Sequence, residues 1–241
     1  MNIMNVRQTK LGASIACALG LAFVPMVSQA EDANACDYTY GVHDGGLNNS
    51  QLLRYSEASG LEPLGDVLPG ADIEALDIGE EQKLVGAAGK DTDKPGHLYT
   101  FDMETGAKLS DAPTGCKELN GISFNPTDGV LWGWDQTQGL VKIEGDPKTC
   151  SAPVVKGEKG LEVEALTWDN AGETLYFAYN DHNGASNGDA NATHSLGKYE
   201  ATTGVAEWNV CNIDTPEIEA LEVLNDGTLL VGYHENGRQL V

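Results

Sequence analysis

The chain has 241 residues, of which 37 are acidic and 14 basic, for a formal net charge of −23. A field of that sign repels nucleic acid and anionic membrane surfaces and attracts cations, so nucleic-acid binding is excluded. One apolar stretch stands at the extreme N-terminus and no second one follows, so membrane insertion of the remainder is excluded too.

Residues 1–30 read as a secretory signal peptide. Arg7 and Lys10 make a basic start, Leu11 to Val27 is apolar, and Ser28-Gln29-Ala30 supplies the small residues of a cleavage site. The apolar run is shorter than the roughly 20 residues a bilayer span needs. Residues 31–241 are expected to form one domain, secreted or periplasmic, that keeps 12 of the 14 basic residues and all 37 acids, a net charge of −25. It retains Cys36, Cys116, Cys150 and Cys211. An even set in an exported chain points to two disulfides, with three pairings open and a preference for Cys36–Cys211, which would tie the first unit to the last.

The domain begins with three strands, near Asp37 to Val42, Gln51 to Tyr55 and Leu61 to Val67. A short phrase then recurs four times: Asp72-Ile73-Glu74-Ala75-Leu76, Glu118-Leu119-Asn120-Gly121-Ile122, Glu162-Val163-Glu164-Ala165-Leu166 and Glu217-Ile218-Glu219-Ala220-Leu221. Its central residue steps by 46, 44 and 55 positions. A period of about 40–50 residues made of short strands is the mark of a β-propeller blade. After the phrase comes a turn, as in Asn125-Pro126-Thr127-Asp128-Gly129, Asp169 to Gly172 or Asn225-Asp226-Gly227. An aromatic strand follows, as in Val130 to Trp134, Thr174 to Tyr179 or Thr228 to Tyr233. A third strand such as His97 to Asp102 leads through a Gly turn to an outer one. The fold class is therefore all-β: a β-propeller of four-stranded antiparallel blades. Three units are full. The first lacks its innermost strand, and the last breaks off after Arg238 to Val241. Either about five blades form, or the chain is a fragment of a larger propeller.

Strand polarity gathers two sets of side chains at one mouth of the funnel. The phrase starts the innermost strand, and the antiparallel second strand ends on the same face. Glu74, Asn120, Glu164 and Glu219 come from the first; Asp44, Asp135, Asp181 and Glu235 come from the second, with Asp91 in the looser second unit. Crowded carboxylates recruit a cation or take raised pKa values. Oxygen ligands suit Ca²⁺ or Mg²⁺, and Ca²⁺ is the abundant extracellular choice. The expected metal set is Glu74, Asn120, Glu164, Glu219, Asp44, Asp135 and Asp181. His43, His182 and His234 sit beside these strand ends and read as exposed loop residues. Gly184-Ala185-Ser186-Asn187-Gly188 has the spelling of a nucleophile elbow but lacks the strand and helix that motif needs. Residues 180–195 read as an insertion. Trp132 and Trp134 share one face of a strand and are expected to pack between blades.

The Glu-Ala-Leu phrase, the Asn-Pro-x-x-Gly and Asp-Gly turns and the Tyr-x-Phe-Asp strand at Tyr99 to Asp102 resemble secreted bacterial β-propellers. Related patterns occur in YVTN-type, phytase-like and regucalcin/gluconolactonase-like families. The last of these holds a divalent metal at the funnel through a Glu, Asn and Asp set, and Glu164, Asn120 and Asp181 look similar. The rest of that family's pattern has no counterpart here, and few Lys or Arg are present to receive phytate. The expected function is a secreted binding or interaction module, probed by a protein, small-molecule or carbohydrate partner, with Ca²⁺ at the funnel. A metal-dependent hydrolase of lactonase or phosphoesterase type and a structural surface-assembly component are the alternatives, and catalysis is left open.

Overall fold

The computed structural model describes residues 38–44, 46, 48–79, 82–181, 193–213, 218–235 and 239–240. The signal-peptide reading, His182 and the elbow-like residues 184–188 lie outside them. Among the described residues no α-helix forms, as the lack of any 3.6-residue apolar period requires.

Among the described residues, nineteen strands build five antiparallel sheets in the manner of a β-propeller. The first sheet holds β1 (Thr39–Asp44), β2 (Ser50–Ser56) and β3 (Gly60–Pro63). The second holds β4 (Ile73–Gly79), β5 (Lys83–Ala88), β6 (His97–Asp102) and β7 (Lys108–Pro113). The third holds β8 (Leu119–Phe124), β9 (Leu131–Asp135) and β10 (Gly139–Glu144), with two short outer pieces, β11 (Thr149–Cys150) and β12 (Val155–Lys156). The fourth holds β13 (Leu161–Trp168), β14 (Thr174–Asp181), β15 (Thr193–Glu200) and β16 (Val205–Ile213). The fifth holds β17 (Ile218–Val223), β18 (Leu229–Glu235) and β19 (Gln239–Leu240). Three complete sheets between two three-stranded ones match the order of units in the sequence.

The split outer edge of the third sheet departs from the four-strand expectation, and its cause is local. Pro153 has no N–H to give the ladder. The chain between β11 and β12 bonds to β10 irregularly instead, through Ser151 N to the Lys142 carbonyl at 2.8 Å and Val154 N to the Leu140 carbonyl at 2.7 Å.

Each apolar cluster fills the gap between two successive sheets. Leu52 and Leu64 meet Leu84 and Phe101; Leu98 and Val85 meet Leu119 and Ile122. Trp132 and Trp134 meet Trp168, Phe177 and Tyr199, and Ala178 and Leu196 meet Ile218 and Leu221. Both tryptophans of β9 thus pack between sheets, as their shared face implies. Trp132 stands edge-on to Trp168 with ring centres 5.3 Å apart. Each such large side chain contributes about 1.5–3 kcal/mol on burial.

The inner strands carry a second, polar repeat. Three residues beyond each phrase centre stands Asp77, Ser123, Thr167 or Glu222. Asp77 Oδ2 accepts the N–H of Phe124 on the next sheet at 2.6 Å. Ser123 Oγ accepts that of Trp168, and Thr167 Oγ1 that of Val223, both at 3.3 Å. Three of these four side chains therefore each satisfy one backbone donor of the following blade, in a place where an unmade bond would be costly.

Cys116 and Cys150 are disulfide-bonded, with Cα atoms 5.7 Å apart. The bond ties β11 to the approach to β8. Cross-links of this kind persist in oxidising, extracytoplasmic surroundings. Cys36 lies outside the described residues, and with it the Cys36–Cys211 preference; Cys211 itself is exposed on β16. Among the described residues, no helix is long and apolar enough to cross a membrane.

Candidate functional site: the central funnel

One irregularity recurs in all four inner strands. Pairing slips between Ile73 and Ala75, Leu119 and Gly121, Val163 and Ala165, and Ile218 and Ala220. In each case two inner-strand positions are passed for one on the partner strand. Glu74, Asn120, Glu164 and Glu219 are therefore each the extra residue of a β-bulge. Bulges re-aim a side chain out of the regular alternation. All four line one cavity of about 200 Å³, together with Lys90, Asp91, Glu118 and Glu162. The convergence of the repeat's central residues is thus a backbone property, written once per blade.

Asn120 is the most enclosed member, with 7 % of its surface exposed. Its Nδ2 donates to Glu164 Oε2 at 3.1 Å. Its Oδ1 is buried and has no donor among the described residues. Where the other phrases have Ala, this one has Gly121, and a Cβ there would lie 2.9 Å from Leu166 Cγ. The missing side chain lets β8 and β13 approach closely enough for the Asn120–Glu164 bond. Gln136 reinforces the same seam, donating to the Val163 carbonyl at 2.6 Å.

The electrostatics are lopsided. Burial pushes the Glu164 carboxyl well above the usual carboxylate range, and the charges of Glu162, Glu219 and Glu74 push it further; the Asn120 bond opposes them. Lys90 is the cation of the lining, and its ammonium pairs with Glu118 at 2.8 Å. That hydrogen bond, with the charges of Glu162 and Asp91, raises the Lys90 pKa. Further down, burial lifts Asp77 to about 6; Glu222, exposed over part of its surface, is lifted to about 7 by partial desolvation and by the charge of Asp77.

The second set of expected ligands divides differently. The polarity argument holds for the backbone: Leu119 pairs with Asp135 and Leu161 with Asp181, so second-strand ends do return to the phrase. Asp135 nevertheless stays out of the cavity. It is 0 % exposed, and its carboxylate accepts from Lys117 N at 2.7 Å, Thr137 N at 2.8 Å, Thr137 Oγ1 at 2.6 Å and Gln138 Nε2 at 3.3 Å. It organises the turn after β9 and the entry to β8. The side chains of Asp44, Asp181, His234 and Glu235 lie outside the described residues. His43 is exposed on β1.

Two lining residues, Lys90 and Asp91, were visible in sequence only as a loose loop. That loop is fastened to the first sheet's side of the funnel. Asp91 N donates to Asp72 Oδ2 at 2.7 Å, Thr92 Oγ1 donates to the Gly70 carbonyl at 2.6 Å, and Asn48 Nδ2 donates to the Asp91 carbonyl. Asn48 and Asp72 both take the left-handed conformation, at φ 60° and 50°. A second cavity of about 410 Å³ shares Lys90 and Asp91 with the funnel and is otherwise lined by Asn48, Gly70, Thr92 and Asp93.

The fit to a metal can be read from these donors. Their oxygens suit a hard divalent ion. Among the described residues, however, no three His, Cys, Asp or Glu side chains stand close enough together to hold one ion.

No protein-family model matches the chain. No curated protein matches it in sequence. Solved structures do. A chain of a nidogen/laminin complex superposes with a TM-score of 0.56 at 10 % identity, over 76 % of this chain and 67 % of that one. An auxiliary nutrient binding protein from Bacteroides ovatus gives 0.47 at 12 % identity, over 75 % of this chain and 43 % of that one. Hydrazine synthase from Kuenenia stuttgartiensis gives 0.48 at 10 % identity, over 70 % and 45 %. This chain spans less than half the length of those last two. At such identities the likeness is one of fold, and the fold is an all-β propeller arrangement of antiparallel sheets.

Proposed function

We propose that this protein is an extracytoplasmic β-propeller binding module whose central funnel captures a cationic ligand. The observation that supports this best is Asn120: an enclosed amide whose Oδ1 lacks a donor, set among carboxylates at a cavity wall. A buried acceptor without a partner costs about 1–3 kcal/mol, and a bound cation or its hydrogen-bond donor removes that cost. Ionising Glu164 is disfavoured by its neighbours, and positive charge reverses that too. The disulfide and the leader-like N-terminus support a secreted or periplasmic location. A protein, small molecule or carbohydrate can carry the positive group.

Calcium is the inorganic cation to test first, since the available donors are oxygens. Calorimetric titration of the purified protein with CaCl₂, MgCl₂ and amine salts, with thermal melts alongside, examines the reading directly. A saturable site of defined stoichiometry, lost in Glu164→Gln, is expected for at least one cation. Heat that only tracks ionic strength, in wild type and variant alike, would overturn it.

A further inference from the structure

The funnel cavity and the cavity beside it share two walls, Lys90 and Asp91. Together they make one acidic trench that runs from the Asn120–Glu164 pair over the 90–93 loop to Asp93. We infer that this trench is a binding site for a linear aliphatic polyamine, whose first ammonium enters the funnel and whose later ones follow Asp91 and Asp93. The inference rests on the funnel being the binding site.

Four observations favour an extended organic cation over a single ion. First, the acidic lining continues past the funnel: five glutamates line the first cavity, and Asp93 lines only the second. A chain of ammonium groups spaced by methylenes reaches both cavities, and a single ion does not. Second, Asn120 Oδ1 has no donor among the described residues, and an ammonium brings three N–H groups, enough to reach a carboxylate and an amide oxygen together. Third, the wall already holds a primary ammonium: Lys90 Nζ sits 2.8 Å from Glu118 Oε1. The site thus binds this chemistry within its own chain, and an incoming amine meets the same kind of acceptor. Fourth, the trench wall is built before any ligand arrives. The bonds from Asp91 N to Asp72 and from Thr92 Oγ1 to Gly70 hold the loop, so little ordering is needed on binding.

Lys90 also sets the selectivity. Its charge lies where the two cavities meet, so it opposes a short monoamine that cannot gain contacts beyond it. A longer amine gains Asp93 in the second cavity and offsets that repulsion. Affinity should therefore climb with the number of ammonium groups, more steeply than bulk charge alone provides.

The experiment is calorimetric titration of the purified protein, at fixed ionic strength, with spermidine, putrescine, methylammonium and CaCl₂ as separate probes. Spermidine is expected to bind saturably at one site, at least about tenfold tighter than putrescine, the increment of one charge-assisted hydrogen bond. Asp93→Asn is expected to weaken spermidine about tenfold while leaving methylammonium unchanged, because Asp93 lines the second cavity and not the funnel. Asp93 is exposed, so it reports even where Glu164→Gln disturbs folding. If CaCl₂ binds saturably and spermidine does not, the cation reading of the funnel stands and the polyamine assignment falls. If no probe binds saturably, both fall. If spermidine binds but Asp93→Asn is unaffected, the second cavity is not part of the site and the assignment is overturned.

Discussion

Asn120 Nδ2 donates to Glu164 Oε2 at 3.1 Å, joining the bulge residues of two adjacent inner strands. The bond uses the amide's nitrogen and leaves its oxygen for something that donates. Substituting Asn120→Asp places a second carboxylate beside one whose ionisation is already disfavoured. The variant is expected to lose about 1–3 kcal/mol at pH 8, or some 2–12 °C in melting temperature, and to recover more than wild type when a binding cation is added. Thermal melts with and without the cation check this.

Gly121 tests the seam by sterics alone. In Gly121→Ala the new methyl would meet Leu166 Cγ at 2.9 Å, so β8 and β13 must separate or Leu166 must shift. Overpacking of this kind costs about 1–3 kcal/mol. Cation affinity is expected to fall alongside stability, because the Asn120–Glu164 distance grows. A variant as stable as wild type would show that the close approach is not required.

The polar repeat below the funnel makes a separate forecast. Thr167→Val keeps the shape of the side chain and removes the acceptor for Val223 N–H. The loss is expected to be about 1–2 kcal/mol, with faster hydrogen exchange at Val223 and little change at Phe124, whose N–H goes to Asp77. Exchange measured by NMR on the variant distinguishes this from a general loosening.

Glu222 and Asp77 set a pH dependence with a definite sign. Both take folded-state pKa values above the ordinary carboxylate range, about 7 and about 6, chiefly through burial. A carboxyl so raised holds its proton more tightly in the folded state. Its stabilising effect is full below the unfolded pKa of about 4 and is lost as pH rises through the folded value. Glu222→Gln keeps the neutral form at every pH. Relative to wild type it is expected to be unchanged at pH 4 and more stable at pH 8, with the difference growing between about 4 and 7. Melting curves across that range settle it; a constant difference would contradict the assignment.

The Cys116–Cys150 disulfide closes a 34-residue separation. Chain-entropy arguments put its stabilisation at about 3–4 kcal/mol. Cys116→Ser with Cys150→Ser is expected to lower the denaturant midpoint accordingly, with no change in cation affinity because neither residue lines the funnel. An affinity loss would couple the third sheet's outer edge to the site.

Much of this was legible in sequence because it repeats. Four copies of one phrase announce the inner strands, and the residues at 74, 120, 164 and 219 do share a cavity. The bulges that aim them were hidden, since a slip in register depends on what the partner strand does and leaves no composition signal. Asp135 was misplaced for a related reason: strand polarity brings its backbone to the right rim, but the neighbouring N–H groups of Lys117 and Thr137 claim its carboxylate. The blade-to-blade acceptors could have been found. Asp77, Ser123 and Thr167 each place a polar side chain at a constant offset of three from the phrase centre. Lys90 and Asp91 could not, because their place at the funnel depends on Asp72 and Asn48 holding the loop across from another sheet.

The most direct test of cation capture at Glu164 is the proton count on binding. Calorimetry in two buffers of different ionisation enthalpy, repeated from pH 5 to pH 8, measures it with whichever cation binds. A carboxyl held well above its usual range must give up its proton when the cation arrives. Release is expected to approach about one proton at the acid end, to vanish as Glu164 ionises on its own, and to be absent in Glu164→Gln. Binding that releases no proton at any pH, or releases as many in Glu164→Gln, would place the cation elsewhere.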